Sequence, residues 1–340
     1  MIFIHQIVNK KNKSGTIQCI SRKVGKISLF EVIFLGTSAS APSVRRGLPA
    51  QVIKHGEHRF LLDCGEGTQR QILTSGIGFK RLNRILVTHN HLDHILGIGG
   101  LVSTMTRWES MDQLDIYGSP SALERIDALI YQVVLRNARP AMPITLYPIE
   151  PGIFFETDEL TVGAFSVQHR GADSLGYLFT EKGRRPFLPE KAEALNIPPG
   201  PWRRDLVNGL AVMLPDGRMI QPDDVMGEFR PGLQVGFTGD VGDIESLAEV
   251  LSGVDLLVSE ATYLEEETEM AAQFGHMTAK RAATFARNHA VKKLVLTHIS
   301  RRYREKDVLR EARETFENTY VARDFDSVMV KREDEEESAD

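Results

Sequence analysis

The 340-residue chain has only two cysteines, Cys19 and Cys64. That excludes a disulfide framework and a cysteine-rich zinc site, and reads as two reduced bystander thiols. No apolar run approaches the roughly 20 residues that a membrane helix requires. The apolar start of "MIFIHQIVNKKNKSG" is short and lies on the wrong side of its lysines for a signal peptide. A cytoplasmic protein is the expectation. Positive charge is not in excess either: the net charge of −5 argues against a general polyanion binder. What is present, 42% hydrophobic and 26% charged residues, is the make-up of a soluble globular protein.

Charge is unevenly placed. The end, "KREDEEESAD" over 331–340, carries much of the acid and is expected to be an acidic disordered tail. Residues 1–28 are basic with little apolar periodicity and read as an N-terminal extension. Between them, basic pairs stand in loops: Arg45-Arg46, Arg184-Arg185, Arg203-Arg204 and Arg301-Arg302.

From Glu31 the chain alternates strands and helices. "EVIFLGT", "AQVIKH" and "RFLLDCG" read as strands, "EGTQRQILTSG" as a short helix closed by Gly76, and "RILVTH" as a buried strand. "HILGIGGLVSTMTRW" has helical spacing, "LDIYG" is a strand, and "PSALERIDALIYQVVLRN" is a helix with Pro120 near its first turn. Strands follow around "ITLYPIE", "LTVGAFSVQH" and "SLGYLFTE". Residues 182–210 break the pattern with Pro186, Pro189, Pro198, Pro199 and Pro201, a density that suits a protruding arm rather than core. Strands "LQVGFTGD", "VDLLVSEAT" and "KKLVLTH" then alternate with helices, and "DSVMVKRE" ends the pattern. Strand-rich layers flanked by helices make this an α/β sandwich.

The stretch "LVTHNHLDHILGIGG", Leu86 to Gly100, holds His89, His91, Asp93 and His94. Imidazoles and carboxylates are ligands for zinc and similar divalent ions. His89 and His91 are two apart, so in an extended segment they point the same way. Asp93 and His94 sit where the loop turns into a helix and face a second direction. One cluster can thus serve two ions. His169 ends "FSVQH", Asp240 ends "VGFTGD" and His298 ends "LVLTH". Each alone is an ordinary strand-end polar residue; their shared placement after an apolar strand makes them candidate ligands. Asp240 is the natural bridge, since one carboxylate can hold two ions about 3.5–4 Å apart.

Together with "FTGD" and "LTH", this stretch resembles the metallo-β-lactamase superfamily. "FLGTSASAP", "LLDCGEGTQRQ", "HRGADSLGYLF", "LNIPPGPW", "SEATY", "GHMTAKRAA" and "LTHISRRY" narrow the resemblance to ribonuclease Z, the endonucleases that trim the 3′ trailer from precursor tRNA. It covers about residues 31–330. It implies a four-layer αββα metallo-β-lactamase sandwich over 29–330 carrying a tRNA-binding arm. It implies two zinc ions per subunit, with manganese as an alternative: His89, His91 and His169 for one, Asp93, His94 and His298 for the other, Asp240 between them. Asp93 corresponds to the proton acceptor for the attacking water. Glu260 and His276 match a pair implicated in catalysis and proton donation. The family is often dimeric, so a homodimer is expected, each arm reaching across to the second subunit.

On this reading the arm grips the acceptor end of precursor tRNA through phosphates, with Arg184, Arg185, Pro199, Gly200, Pro201, Arg203 and Arg204 as the contacts. The Arg45-Arg46 loop is expected near the acceptor stem. Asp63 reads equally as a carboxylate that orients a ligand histidine or as an ordinary strand-end residue. Tyr177 reads as core, and Trp202 as packing locally. Departures from the family pattern are Asn90, Leu92 and, after His169, Arg170, which either crowds the site or meets a phosphate. Two other readings stand beside the nuclease: a general phosphodiesterase of small esters, against which the arm argues, and a mononuclear iron sulfur dioxygenase, against which the second ligand set argues.

Overall fold

The computed structural model describes residues 29–108, 112–136 and 138–332. The expectations for 1–28 and for 333–340 lie outside the described residues. The strands, in chain order, are β1 (Phe30–Gly36), β2 (Ala50–His55), β3 (His58–Leu62), β4 (Arg84–Leu86), β5 (Leu114–Gly118), β6 (Ile144–Pro148), β7 (Gly152–Glu156), β8 (Leu160–His169), β9 (Ala172–Glu181), β10 (Val212–Met213), β11 (Met219–Ile220), β12 (Gln234–Phe237), β13 (Leu256–Glu260), β14 (Leu294–Thr297), β15 (Thr319–Val321) and β16 (Ser327–Val330).

They form two seven-stranded sheets, β16-β1-β2-β3-β4-β5-β6 and β15-β14-β13-β12-β9-β8-β7, plus the small β10-β11 hairpin. Each large sheet is half antiparallel and half parallel. β3, β4, β5 and β6 run parallel in the first, and β12, β13, β14 and β15 in the second.

Period-two alternation explains the layers. In β1, Phe30, Val32 and Phe34 face the second sheet, where they meet Val162, Tyr177, Val235 and Val258. Ile33 and Leu35 face the opposite way, into a cluster with Ile72, Ile98, Leu101 and Ile126 from helices on the outer side. The second sheet does the same: Leu257, Leu294 and Leu296 pack outward on Ala282, Phe285 and Val308. The result is helix, sheet, sheet, helix, the sandwich expected from the sequence. No helix among the described residues is long and apolar enough to cross a membrane.

Several local expectations are corrected. The helix begun at Pro120 is α-helical only over Pro120–Asp127 and continues as a wider π-helix over Ala128–Val134. β7 is an addition to the sequence reading: "GIFFE" sets its apolar residues side by side and so shows no alternation. The inserted unit is larger than 182–210. It is closed at its base by antiparallel bridges Arg184↔Arg230 and Phe187↔Met226. It also contains the β10-β11 hairpin, whose two-residue strands leave no periodic signal. The unit has its own cluster of Ala192, Ile197, Leu206, Val212, Leu214, Ile220, Val225 and Met226, with Trp202 packed against it. The arm is thus a packed unit with a small core of its own.

Two arginines expected at an RNA surface are turned inward. Arg46 donates to Thr37 Oγ1 at 2.6 Å and pairs with Glu305 at 3.1 Å, holding the loop after β1. Arg203 donates from Nε and a terminal nitrogen to the Ile197 carbonyl at 2.9 and 2.7 Å. Arg45, Arg184, Arg185 and Arg204 are exposed.

Candidate metal centre

The strand ends deliver the polar groups to one edge of the sandwich. Asp63 follows β3, Thr88 and His89 follow the apolar end of β4, and His169 ends β8. Asp240 follows β12, Glu260 ends β13 and His298 follows β14. Parallel strands carry their carboxyl ends to the same side, and β8 shares that direction because β9 is antiparallel to both β8 and β12. Sites in such sheets form beyond the carboxyl ends of the strands.

The loop holding the histidines lies backbone against backbone on the "DCGEG" loop. Cys64 N donates to His94 O at 2.7 Å, and Gly97 N donates to Cys64 O at 2.9 Å. A Cβ on Gly97 would lie 2.0 Å from the Gly65 carbonyl oxygen, so the glycine-rich start of that helix is what permits the contact. Burial pushes the Cys64 thiol up to about 12, which keeps it an un-ionised packing group.

Asp240 is the hinge of the centre. Its Oδ2 lies 3.7 Å from His89 Nε2 and 3.9 Å from His169 Nε2. Its Oδ1 lies 3.5 Å from both His94 Nε2 and His298 Nε2. On the first side His91 Nδ1 is 3.4 Å from His169 Nε2. On the second, Asp93 Oδ2 is 3.8 Å from His94 Nε2 and 3.6 Å from His298 Nε2. Possible ligand atoms of His89, His91, His169 and Asp240 lie within 4.8 Å of one another, as do those of Asp93, His94 and His298.

Four of the five histidines are held by their far nitrogen. His89 Nδ1 meets Thr88 Oγ1 at 3.0 Å, and His94 Nδ1 meets Asp63 Oδ2 at 2.8 Å. His169 Nδ1 donates to the Gly275 carbonyl at 2.7 Å, and His298 Nδ1 meets Thr262 Oγ1 at 2.8 Å. Such partners fix the tautomer and aim the ligand nitrogen. Three of the aimed nitrogens are left without a hydrogen bond: among the described residues, Nε2 of His89, His94 and His298 is buried with none. A bare buried polar atom costs roughly 1–3 kcal/mol. Three of them converging with two carboxylates fit a divalent cation, and the imidazole and carboxylate donors suit zinc-like ions.

The electrostatics agree for most of the set. Burial holds His89 well below its ordinary value, with His94 adding to the effect, and it lowers His91 and His169 too. Neutral imidazole is the ligating form. Burial opposes ionisation of Asp240, yet the imidazoles of His298 and His94 hold it well below the carboxylate range. Asp93 is also lowered against burial, by His298 and His94. His94 is the exception: despite burial, Asp240 and Asp63 raise it, so a cation there competes with a proton.

Beside the ligands stands a second pair. His276 Nδ1 lies 2.9 Å from Glu260 Oε1 and 3.9 Å from Asp240 Oδ2. Burial lowers the imidazole, but the Glu260 carboxylate outweighs it and brings His276 up to about 9. Glu260 also accepts from Val241 N at 2.7 Å and from Thr262 Oγ1. Thr262 therefore joins Glu260 to His298.

Nine candidates thus meet: His89, His91, Asp93, His94, His169, Asp240, Glu260, His276 and His298. Arg184, Arg185, Arg203 and Arg204 of the inserted unit do not; among the described residues none of these four hydrogen-bonds or ion-pairs with the centre. Missed by sequence reasoning were Thr88, Thr262, the Gly275 carbonyl and Ser40, whose backbone N–H donates to Asp93 Oδ2 at 3.0 Å. Thr88 and Thr262 adjoin quoted motifs, but a hydroxyl there carries no spacing signal. Ser40, Asp63, Arg170 and His298 have left-handed backbones, with φ of 57°, 55°, 42° and 55°. Such conformations cluster at functional sites.

The chain is similar to known proteins over most of its length. Residues 30–184 match the family model described as the anti-Pycsar protein Apyc1, and residues 211–299 match the β-lactamase superfamily domain. Ribonuclease Z of Bradyrhizobium sp. (strain ORS 278) is 43% identical over 302 residues, spanning 89% of this chain and 100% of that relative. Ribonuclease Z of Archaeoglobus fulgidus is 40% identical over 314 residues, spanning 89% of this chain and 98% of the relative. The crystal structure of human tRNase Z, short form, aligns over 89% of this chain and 100% of its own, with 25% identity and a TM-score of 0.64. A sandwich with this donor set, matched end to end by such relatives, places the chain in the ribonuclease Z family of metal-binding, β-lactamase-fold hydrolases.

Proposed function

We propose that the chain is a zinc-dependent endoribonuclease acting on precursor tRNA. It hydrolyses the phosphodiester at the tRNA 3′ end, leaving a 3′-hydroxyl on the tRNA and a 5′-phosphate on the released trailer. The observation that carries this reading is Asp240, with one oxygen facing His89 and His169 and the other facing His94 and His298.

His89, His91 and His169 would hold one ion, Asp93, His94 and His298 the other, and Asp240 both. When bound, such a pair lowers the pKa of water and offsets charge developing on the phosphoryl oxygens. Asp93, steadied by the Ser40 N–H, takes the proton of the attacking water. His276 gives a proton to the departing ribose 3′ oxygen. With Nδ1 held by Glu260, its Nε2 is the nitrogen free for that transfer.

Exposed Arg184, Arg185 and Arg204, with the Pro199-Gly200-Pro201 turn, grip substrate phosphates. Arg203 shapes that surface from within through Ile197. The separate core of the unit suits a grip that reaches an RNA held by a second copy in a homodimer. Manganese is the alternative to zinc, and metal analysis decides between them.

The test is incubation with a 3′-extended tRNA, with and without chelator, and mapping of the cut. The reading expects one cut at the tRNA 3′ end that chelator abolishes. A chelator-insensitive cut, or turnover of small diesters alone, would overturn it.

A further inference from the structure

Arg170 stands beside the centre without a role in the proposed mechanism. It follows His169 in the turn between β8 and β9, with φ of 42°, and Gly171 after it has φ of 70°. Its stem lies across Gly275: a Cβ built on Gly275 would be 2.9 Å from Arg170 Cγ. Its guanidinium carbon lies 5.5 Å from the centre of the Phe274 ring. Gly275 in turn holds His169 through its carbonyl and precedes His276. The side chain is thus laid over the corner where a ligand histidine and the proton donor meet.

The guanidinium is exposed, and among the described residues it has no carboxylate partner and no hydrogen bond. Other arginines differ: Arg302 pairs with Glu267 at 2.9 Å, and Arg46 with Glu305 at 3.1 Å. An arginine fork that is stacked on a ring yet unpaired keeps its donors for an external anion and loses little freedom on binding one.

We propose that Arg170 forms a phosphate subsite next to the scissile phosphodiester. It binds the RNA phosphate on the leaving-oxygen side, the one preceding the terminal nucleoside of the mature tRNA. The side follows from its neighbour: Arg170 lies with His276, which serves the departing 3′ oxygen. The inference rests on the function proposed above.

The experiment compares wild type with Arg170→Ala and Arg170→Lys on three substrates. They are a 3′-extended acceptor-stem minihelix, the same minihelix with a neutral methylphosphonate at the flanking linkage, and bis(p-nitrophenyl) phosphate. For Arg170→Ala, kcat/KM on the minihelix is expected to fall by roughly 10- to 100-fold, the range of a charge-assisted contact. The ratio of minihelix to small-diester kcat/KM falls with it, while metal content stays that of wild type and Arg170→Lys recovers part of the loss. Wild type loses a comparable factor on the methylphosphonate, and Arg170→Ala loses nothing more there. The slope of log Kd against log salt becomes shallower by about one charge. Equal losses on minihelix and small diester, or none on the minihelix, would overturn the subsite. Failure of wild type to cut the unmodified minihelix would instead overturn the function on which it rests.

Discussion

The metal centre and the inserted unit hold their polar side chains in opposite ways. At the centre, His89, His94, His169 and His298 are buried and gripped at their far nitrogens by Thr88, Asp63, Gly275 and Thr262. On the inserted unit, Arg184 and Arg204 reach into solvent, and only the scaffold beneath them is packed, around Ile197, Leu206 and Ile220. Chemistry at phosphorus needs donors fixed before the substrate arrives. Holding RNA by its backbone needs charge on a stiff base, with the side chains free to adjust. Because the two regions have separate cores, they can be perturbed separately.

That separation is breakable, beginning with the largest effect. Asp240→Ala should abolish turnover of both tRNA and small diesters, beyond the roughly 10²–10³-fold of losing one transition-state donor. Initial rates and metal content measure it, and both should drop together. His276→Ala should cost roughly 10²–10⁴-fold in kcat while metal content by mass spectrometry stays unchanged; wild-type turnover would remove the acid role. Thr262→Val leaves His298 without its Nδ1 partner and should weaken metal affinity by roughly 10- to 100-fold, read by competition with a chromophoric chelator. Thr262→Ser should restore it.

The inserted unit should answer differently. Leu206→Ala deletes a fully buried side chain. It should destabilise that unit by about 2–5 kcal/mol, seen as faster amide exchange over 189–226, with small-diester turnover kept. Loss of that turnover would mean that the two cores are not independent. Arg184→Glu combined with Arg204→Glu should weaken precursor tRNA binding and flatten its salt dependence, again sparing the small diester.

The sandwich was legible because its strands are long enough to alternate, as in "EVIFLGT" and "LTVGAFSVQH", and because glycines and prolines mark the turns. The donor set was legible for a related reason: an apolar strand ending abruptly in His or Asp is visible even when its partners are as far apart in sequence as His89 and His298. The supporting groups were not. Thr262 and Thr88 matter only through where the fold points their hydroxyls, and the Gly275 carbonyl and Ser40 N–H belong to the backbone, which sequence does not distinguish. Arg46 and Arg203 show the converse. A basic pair in a loop reads as surface charge, but one member of each is drawn inward by an acceptor that the pair itself does not reveal: Glu305, far along the chain, for Arg46, and the backbone carbonyl of Ile197 for Arg203.

One carboxylate joining two ligand sets is the core of this account, and zinc titration of metal-free protein tests it most directly. Wild type should take up two equivalents per chain, while His91→Ala and His298→Ala should each retain one. A single equivalent in wild type, or two in both variants, would contradict it.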